Sequence, residues 1–346
     1  MGIRQVPVAT LEDGMFCDSV YAVRRKQLAT AKTGKPYLNL TLADRTGEIV
    51  ARVFRNADYF SQLFSEGDFV YVQAKVQSYE GKLQLVIDAL ERIAPGEISA
   101  EDFLPAGRVA PEILKTHLRA ILETIADDRI RRLCLMAMFE TPEGEAFCRA
   151  PAAQNMHHAH LYGLLEHTVS VLLLLDMVSR HYTNVNRDVL LAGGLFHDFG
   201  KVYELEYARS FGYTDRGRLV PHLIIGVQLL GEWCARIPEF PAEAKLQIEH
   251  IILAHHGTRE FGSPVIPATV EAQIVHQVDD MDAKVWAMLN HIEKAGPDAQ
   301  WTDRHGLLGT YLRRTSSAAA DLYGFHMPTD AESEPAPVQP SLFGKK

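Results

Sequence analysis

The pair His197-Asp198, followed at once by Phe199-Gly200-Lys201, closes an apolar segment and is the first stretch with chemistry in it. Neutral imidazole and carboxylate are metal ligands, and they rarely sit together in a core unless they bind something. Alone, the dipeptide says little. Further candidates stand before and after it: His157-His158, Glu166-His167, His222, His255-His256, and Asp279, Asp280 and Asp282. Each has a bland reading, a satisfied core histidine or a solvated helical aspartate. Their recurrence at the ends and inner faces of consecutive helices weakens that reading and points to metal chemistry.

Helices must position these groups. His167 falls in a predicted helix from Leu161 to His181 whose apolar face is Leu164, Leu165, Val169, Leu172 and Leu173. The next helix starts after Asn186, a good N-cap, and stops near Gly200. Gly193 and Gly194, one turn before the His-Asp pair, would let another helix approach closely. Pro221 suits a helix start just before His222. A helix from Ala242 closes with His255-His256-Gly257, and Pro267 leads into a long helix. Ile274, Val278, Met281, Val285 and Leu289 trace that helix's expected buried line, with Asp279 and Asp282 flanking it. Three helices are expected upstream, Pro111–Ala126, Asp128–Phe139 and Pro142–Arg149, with His117 in a structural or surface role.

The first 95 residues read differently. Asp18–Arg25, Tyr37–Ala43, Glu48–Phe54, Asp68–Gln77 and Lys82–Arg92 are β-rich runs separated by turn signals, with a short helix at Ala57–Phe64. Three strands, a helix and two strands match the order of an OB-fold barrel. Tyr21, Arg24, Tyr37, Arg52 and Phe54 are its candidate strand contacts, since aromatic platforms beside cations suit single-strand binding. The alternative is that these aromatics are core and the cations a solvated face.

Composition sets the frame. At 346 residues the chain is too long for one ordinary core. The expected fold class is multi-domain α+β: an OB-fold at 1–95, a linker and helical cap at 96–150, an all-α domain at 151–326 and a disordered tail at 327–346. The net charge of −9 is uneven, because residues 1–95 hold 12 Lys/Arg against 11 Asp/Glu. An acidic chain can therefore still carry a basic groove in its first domain. Four scattered cysteines, no apolar run of membrane-spanning length and no signal-like start place the chain in a cytoplasm. The tail ends in Gln339-Pro340-Ser341-Leu342-Phe343, which resembles the short peptides that dock on the bacterial sliding clamp. A solvated tail without a partner is the alternative.

The ordered series His167, His197-Asp198, His222, His255-His256 and Asp279 resembles the metal-dependent HD phosphohydrolases. The strings His157-His158, Gly163-Leu164-Leu165-Glu166-His167, His197-Asp198-Phe199-Gly200-Lys201, His255-His256-Gly257 and Gly262-Ser263-Pro264, behind an OB-fold, resemble the YhaM-type 3′-to-5′ exoribonucleases. The resemblance implies that His167, His197, Asp198 and Asp279 hold one metal. It further implies that Asp198 bridges to a second, held by His222, His255 and His256. Mixed imidazole and carboxylate ligands suit Mn²⁺, placed first, or Co²⁺, Fe²⁺, Ni²⁺ or Zn²⁺. Asp198 and Lys201 would be catalytic, with hydroxide activated by the two metals and Lys201 neutralising phosphate charge. His157 and His158 would touch substrate, and Asp282 would either accept from a ligand histidine or stand as a plain surface carboxylate. Residues 207–218 are expected to form a hairpin turning at Asp215–Gly217, with Arg209, Arg216 and Arg218 beside Phe211 and Tyr213 gripping the strand; a purely structural hairpin or an oligomer contact is the alternative.

The expected function is exonucleolytic hydrolysis of single-stranded RNA, with single-stranded DNA a further partner, to nucleoside monophosphates. A homo-oligomer remains open. Two alternatives stand beside it: a phosphohydrolase of small or cyclic nucleotides, and a non-catalytic single-strand-binding regulator.

Overall fold

The computed structural model describes residues 6–30, 34–94, 103, 107, 109–153, 158, 160–206, 212–296 and 298–315. His157, Arg209, Phe211 and the tail residues Gln339, Leu342 and Phe343 lie outside the described residues.

The barrel comes from alternation. On β2 (Pro36–Asp44), Leu38, Leu40 and Leu42 are buried. On β4 (Phe69–Tyr79), Val70, Val72, Ala74 and Val76 are buried too. This is the period-two pattern of a strand with one face in a core. Each buried leucine contributes about 1.5–3 kcal/mol. With β1 (Phe16–Thr30), β3 (Gly47–Val53) and β5 (Lys82–Arg92) these strands close in the order β1-β2-β3-β5-β4. The β3–β5 seam is parallel and the other pairs antiparallel. Helix α1 (Ala57–Leu63) sits between β3 and β4, so the expected OB-fold is observed. Strand β1 outruns its expected end because Gln27, Leu28, Ala29 and Thr30 pair with Asn39, Leu38, Tyr37 and Pro36.

The helices follow as α2 (Pro111–Glu123), α3 (Asp128–Phe139), α4 (Pro142–Arg149), α5 (Gly163–His181), α6 (Arg187–Phe196) and α7 (Lys201–Glu204). After a ribbon of β6 (Leu205–Glu206) and β7 (Gly212–Tyr213) come α8 (Asp215–Leu219), α9 (His222–Cys234), α10 (Ala242–Ala254) and α11 (Val270–Lys294). A second ribbon, β8 (Trp301–Arg304) and β9 (Tyr311–Arg313), ends the described part. Side chains set the starts: Asp127 accepts from the N–H groups of Arg129 and Ile130, and Asn186 from that of Val189.

Gly193 and Gly194 do what their size allows. A Cβ on Gly193 would lie 2.5 Å from Ile251 of α10, and one on Gly194 would lie 2.4 Å from Leu175 of α5. Helix α6 is thus clasped on two sides, which fixes the His-Asp pair at its end.

Two expectations need correction. The segment Asp215–Leu219 is helix, not a hairpin turn, because Thr214 accepts from the Gly217 N–H and caps it. The strands that do pair are Leu205–Glu206 with Gly212–Tyr213. Helix α11 is also rotated from its expected facing: Ala272, Val275, Val278 and Asp282 are buried, while Met281, Val285 and Leu289 are exposed. Hydrogen-bonding partners for its polar residues decide the rotation, as the site below makes clear.

The chain divides into two compact units, Met1–Met288 and Leu289–Lys346, with the boundary inside α11. Among the described residues no helix is long and apolar enough to cross a membrane.

Candidate metal centre

Five elements bring the ligand candidates together. His167 lies on α5, His197-Asp198 just beyond α6, His222 at the start of α9, His255-His256 just beyond α10, and Asp279 on α11. His167 and His197 are fully buried, His255 and Asp198 nearly so.

Asp198 divides the group. Its Oδ2 lies 3.4 Å from His197 Nε2 and 3.9 Å from His167 Nε2. Its Oδ1 lies 3.5 Å from both His222 Nε2 and His255 Nε2. Asp279 Oδ1 stands on the first side, 3.1 Å from His167 Nε2 and 3.8 Å from His197 Nε2. His256 stands on the second, its ring 4.3 Å from that of His255 and 5.1 Å from that of His222. Two sets of imidazoles therefore share one carboxylate.

The tautomers support metal binding at the same atoms. The outer nitrogen, Nδ1, of each of four histidines meets an oxygen. His167 Nδ1 is 2.8 Å from Asp282 Oδ2, His197 Nδ1 2.7 Å from Gly194 O, and His255 Nδ1 2.8 Å from Ile252 O. His222 Nδ1 is 2.9 Å from Glu204 Oε2. Carbonyls and carboxylates only accept, so Nδ1 carries hydrogen and a neutral ring leaves its Nε2 lone pair facing inward. Among the described residues His222 Nε2 and His256 Nδ1 are buried without a hydrogen-bond partner. The donor set fits divalent transition metals: His167, His197 and Asp279 form one cluster of ligating atoms, and His222, His255 and His256 another.

Burial would push His167 down, but hydrogen bonds to Asp279 and Asp282 outweigh it and hold the imidazolium up to about 10. On the other side burial pushes His256 down to about 3, aided by His255 and His222. Burial opposes ionisation of Asp198, yet Lys201 and His197 hold its carboxyl well below the usual range. Lys201 donates from Nζ to Asp198 Oδ2 at 2.6 Å.

Other expected site residues fall elsewhere. His158 is fully buried behind His167, its Nε2 3.4 Å from Asp282 Oδ2 and its ring stacked on Trp286 at 4.8 Å. That is no surface for substrate. Arg216 lies over the Tyr203 ring and donates to Gln228 Oε1, and Arg218 is exposed on α8, so neither is on a hairpin tip. Tyr21 is barrel core, donating to Val6 O at 2.7 Å beside Cys17. Arg24 is half-buried on β1. The other three form one group: Tyr37 and Phe54 rings lie 5.9 Å apart, and the Arg52 guanidinium lies 5.9 Å from Tyr37 and 5.5 Å from Tyr79. Phe54 and Tyr79 are half exposed.

Glu204 escaped the sequence reading. It accepts from both the backbone N–H and the Nδ1 of His222, at 3.0 and 2.9 Å. The only signal was a carboxylate one turn after Lys201 in an otherwise apolar and aromatic run.

Comparison with known proteins agrees with this layout. A family model described as an HD domain matches residues 164–284, and one described as an OB-fold nucleic acid binding domain matches 21–93. The chain is 30% identical over 287 residues to a protein of Halalkalibacterium halodurans named 3′-5′ exoribonuclease YhaM, covering 82% of this chain and 88% of that protein. A protein of the same name from Shouchella clausii is 32% identical over 297 residues, 86% of this chain and 91% of its own. Among solved structures, the second OB-fold domain of replication protein A from Methanococcus maripaludis matches 26% of this chain and 95% of its own, at 19% identity and a TM-score of 0.22.

Proposed function

Since the chain belongs to the family of YhaM 3′-5′ exoribonucleases, we propose that it is a metal-dependent hydrolase that removes nucleoside monophosphates from the 3′ end of single-stranded RNA. The observation that carries the reading is the divided carboxylate of Asp198, with Oδ2 toward His197 and His167 and Oδ1 toward His222 and His255. His167, His197, Asp279 and Asp198 would hold one divalent ion. His222, His255, His256 and Asp198 would hold the other, with Mn²⁺ the first candidate.

When bound, two such ions lower the pKa of a water and neutralise charge on the phosphodiester. The chain's own groups do the rest. Asp282 and Glu204 hold His167 and His222 in the tautomer that turns Nε2 inward. Lys201 would move its hydrogen bond from Asp198 Oδ2 to a non-bridging phosphate oxygen, where negative charge gathers. The Tyr37, Arg52, Phe54 and Tyr79 group would stack bases of the incoming strand. A reducing cytoplasm suits the four buried free thiols.

The test incubates 5′-labelled and 3′-labelled single-stranded RNA, and DNA of the same sequence, with protein and Mn²⁺, then repeats each with chelator. The expected result is a ladder shortening from the 3′ end, early release of the 3′ label as mononucleotide, and no reaction with chelator. Internal fragments, or turnover of small nucleotides alone, would overturn the reading.

A further inference from the structure

Strands β8 and β9 form a ribbon that the metal centre does not use. Its antiparallel register pairs Trp301 with Arg313 and Arg304 with Tyr311, and it shifts between the two pairs. Directly opposed residues share a face. The shift is a bulge on β8, and an extra residue re-aims the side chains that follow it. Thr302 and Leu312 are buried, while Trp301, Arg304, Tyr311 and Arg313 are all exposed, Trp301 at 58% and Tyr311 at 60%. The bulge thus gathers two aromatic–arginine pairs on one open face.

The ribbon is held firmly enough to present them. Arg314 donates to the carbonyls of Ile292 and Gly296 at 2.6 and 2.7 Å, tying β9 to the end of α11. Arg304 stays exposed while its Nε donates to Gly309 O at 3.0 Å. Asp303, the only acid on either strand, has a carboxylate oxygen 3.0 Å from His291 Nε2. Residues 289–315 carry Lys294, Arg304, Arg313 and Arg314 against Glu293, Asp298 and Asp303, a surplus of one positive charge on a chain of net charge −9.

We propose that this ribbon face is a second strand-binding surface, taking single-stranded RNA by stacking bases on Trp301 and Tyr311 while Arg304 and Arg313 neutralise phosphates. The inference rests on the nucleic-acid reading above. Trp, Tyr and Arg also dominate protein interfaces, but here each exposed ring is paired across the ribbon with an exposed guanidinium. Alternating rings and guanidinium groups match a polymer that alternates bases and phosphates.

The test measures the Kd of a labelled oligoadenylate by anisotropy with chelator present, for the full chain and for W301A/Y311A, R304A/R313A and W301F/Y311F. Loss of two stacking platforms should weaken binding by about ten-fold or more. R304A/R313A should lower the slope of log K against log salt by about 1–2. W301F/Y311F, which keeps the rings, should bind as the unaltered chain does, separating stacking from misfolding. Unchanged affinity in both alanine variants overturns the inference, as does unchanged affinity accompanied by a change in oligomeric mass, which would make the face a protein interface. Unaltered protein that binds RNA but does not degrade it in Mn²⁺ would instead sink the exonuclease reading and leave this surface standing.

Discussion

Glu204 holds His222 at two points, its carboxylate meeting both the backbone N–H and the ring Nδ1. The burial of Glu204 opposes its ionisation, yet its contacts with His222 keep its carboxyl below the usual range. A charged acceptor there pins the ring and aims Nε2 at Asp198. Replacing Glu204 by Gln should weaken only the ion on the His222 side, by about 10–100-fold. Metal titration should then show one tight and one weakened site; two unaltered sites would refute the assignment.

The counterpart on the other side is Asp282, which accepts from His167 and from Ser170 Oγ. In Asp282→Asn the amide can offer His167 a donor where it needs an acceptor. Affinity at the His167 side should fall by about 10–100-fold, while the His222 side keeps its own. Isothermal titration with Mn²⁺ would read the two sides separately.

Asp198 belongs to both. Asp198→Ala should cost both ions together and lower RNA turnover by more than the ~100-fold typical of an outer partner. Elemental analysis of the purified variant checks it, and retention of a full complement of metal would exclude Asp198 as the shared ligand.

Acid stability should report His158. Burial pushes its imidazole down to about 3, while in the unfolded chain it titrates near 6.5. Between those values the unfolded state binds the extra proton, so stability is complete above about pH 6.5 and drains as pH falls toward 3. His167, held up to about 10, is protonated in both states below about pH 5.5 and adds no slope there; nearer 6.5 its unfolded form loses the proton, so its slope opposes that of His158. Urea unfolding of chelator-treated protein should therefore show stability falling from about pH 5.5 to about 4. In His158→Asn the slope should flatten by about 1.4 kcal/mol per pH unit. Identical slopes would remove His158 from the account.

On the barrel, Arg52 lies between Tyr37 and Tyr79. Arg52→Ala should weaken binding of single-stranded RNA and reduce the salt slope by about one. Tyr21→Phe should lower the unfolding midpoint through its lost hydrogen bond to Val6 O and leave RNA affinity untouched. Anisotropy and thermal melts separate the two.

The residues explain what could be read in advance and what could not. Leu38, Leu40 and Leu42 announce their strand because a core face imposes period two. The His and Asp residues announce themselves because metal-type side chains cluster at helix ends beside Gly193, Gly194 and Gly200. Tyr21 misleads because aromatic content does not fix which face a strand residue takes, and here Cys17 and the Val6 carbonyl draw it inward. Helix α11 misleads for the opposite reason. Its apolar line is the obvious buried stripe, but Asp279 and Asp282 find His167 inside, and turning them outward would leave that buried imidazole without its partners. Glu204 was hidden because its partner His222 lies 18 residues away, across a ribbon.

A Cβ on Gly200 would lie 2.0 Å from the carbonyl oxygen of His222 and 2.8 Å from the Gly226 nitrogen. Backbone rests on backbone there, with no side chain as cushion. The two halves of the centre are consequently set by a direct main-chain abutment, and the spacing between them is a property of the chain's path, not of any rotamer. Substitutions at the ligands alter what each half holds; a side chain at Gly200 would instead alter how far apart the His197 and His222 segments stand.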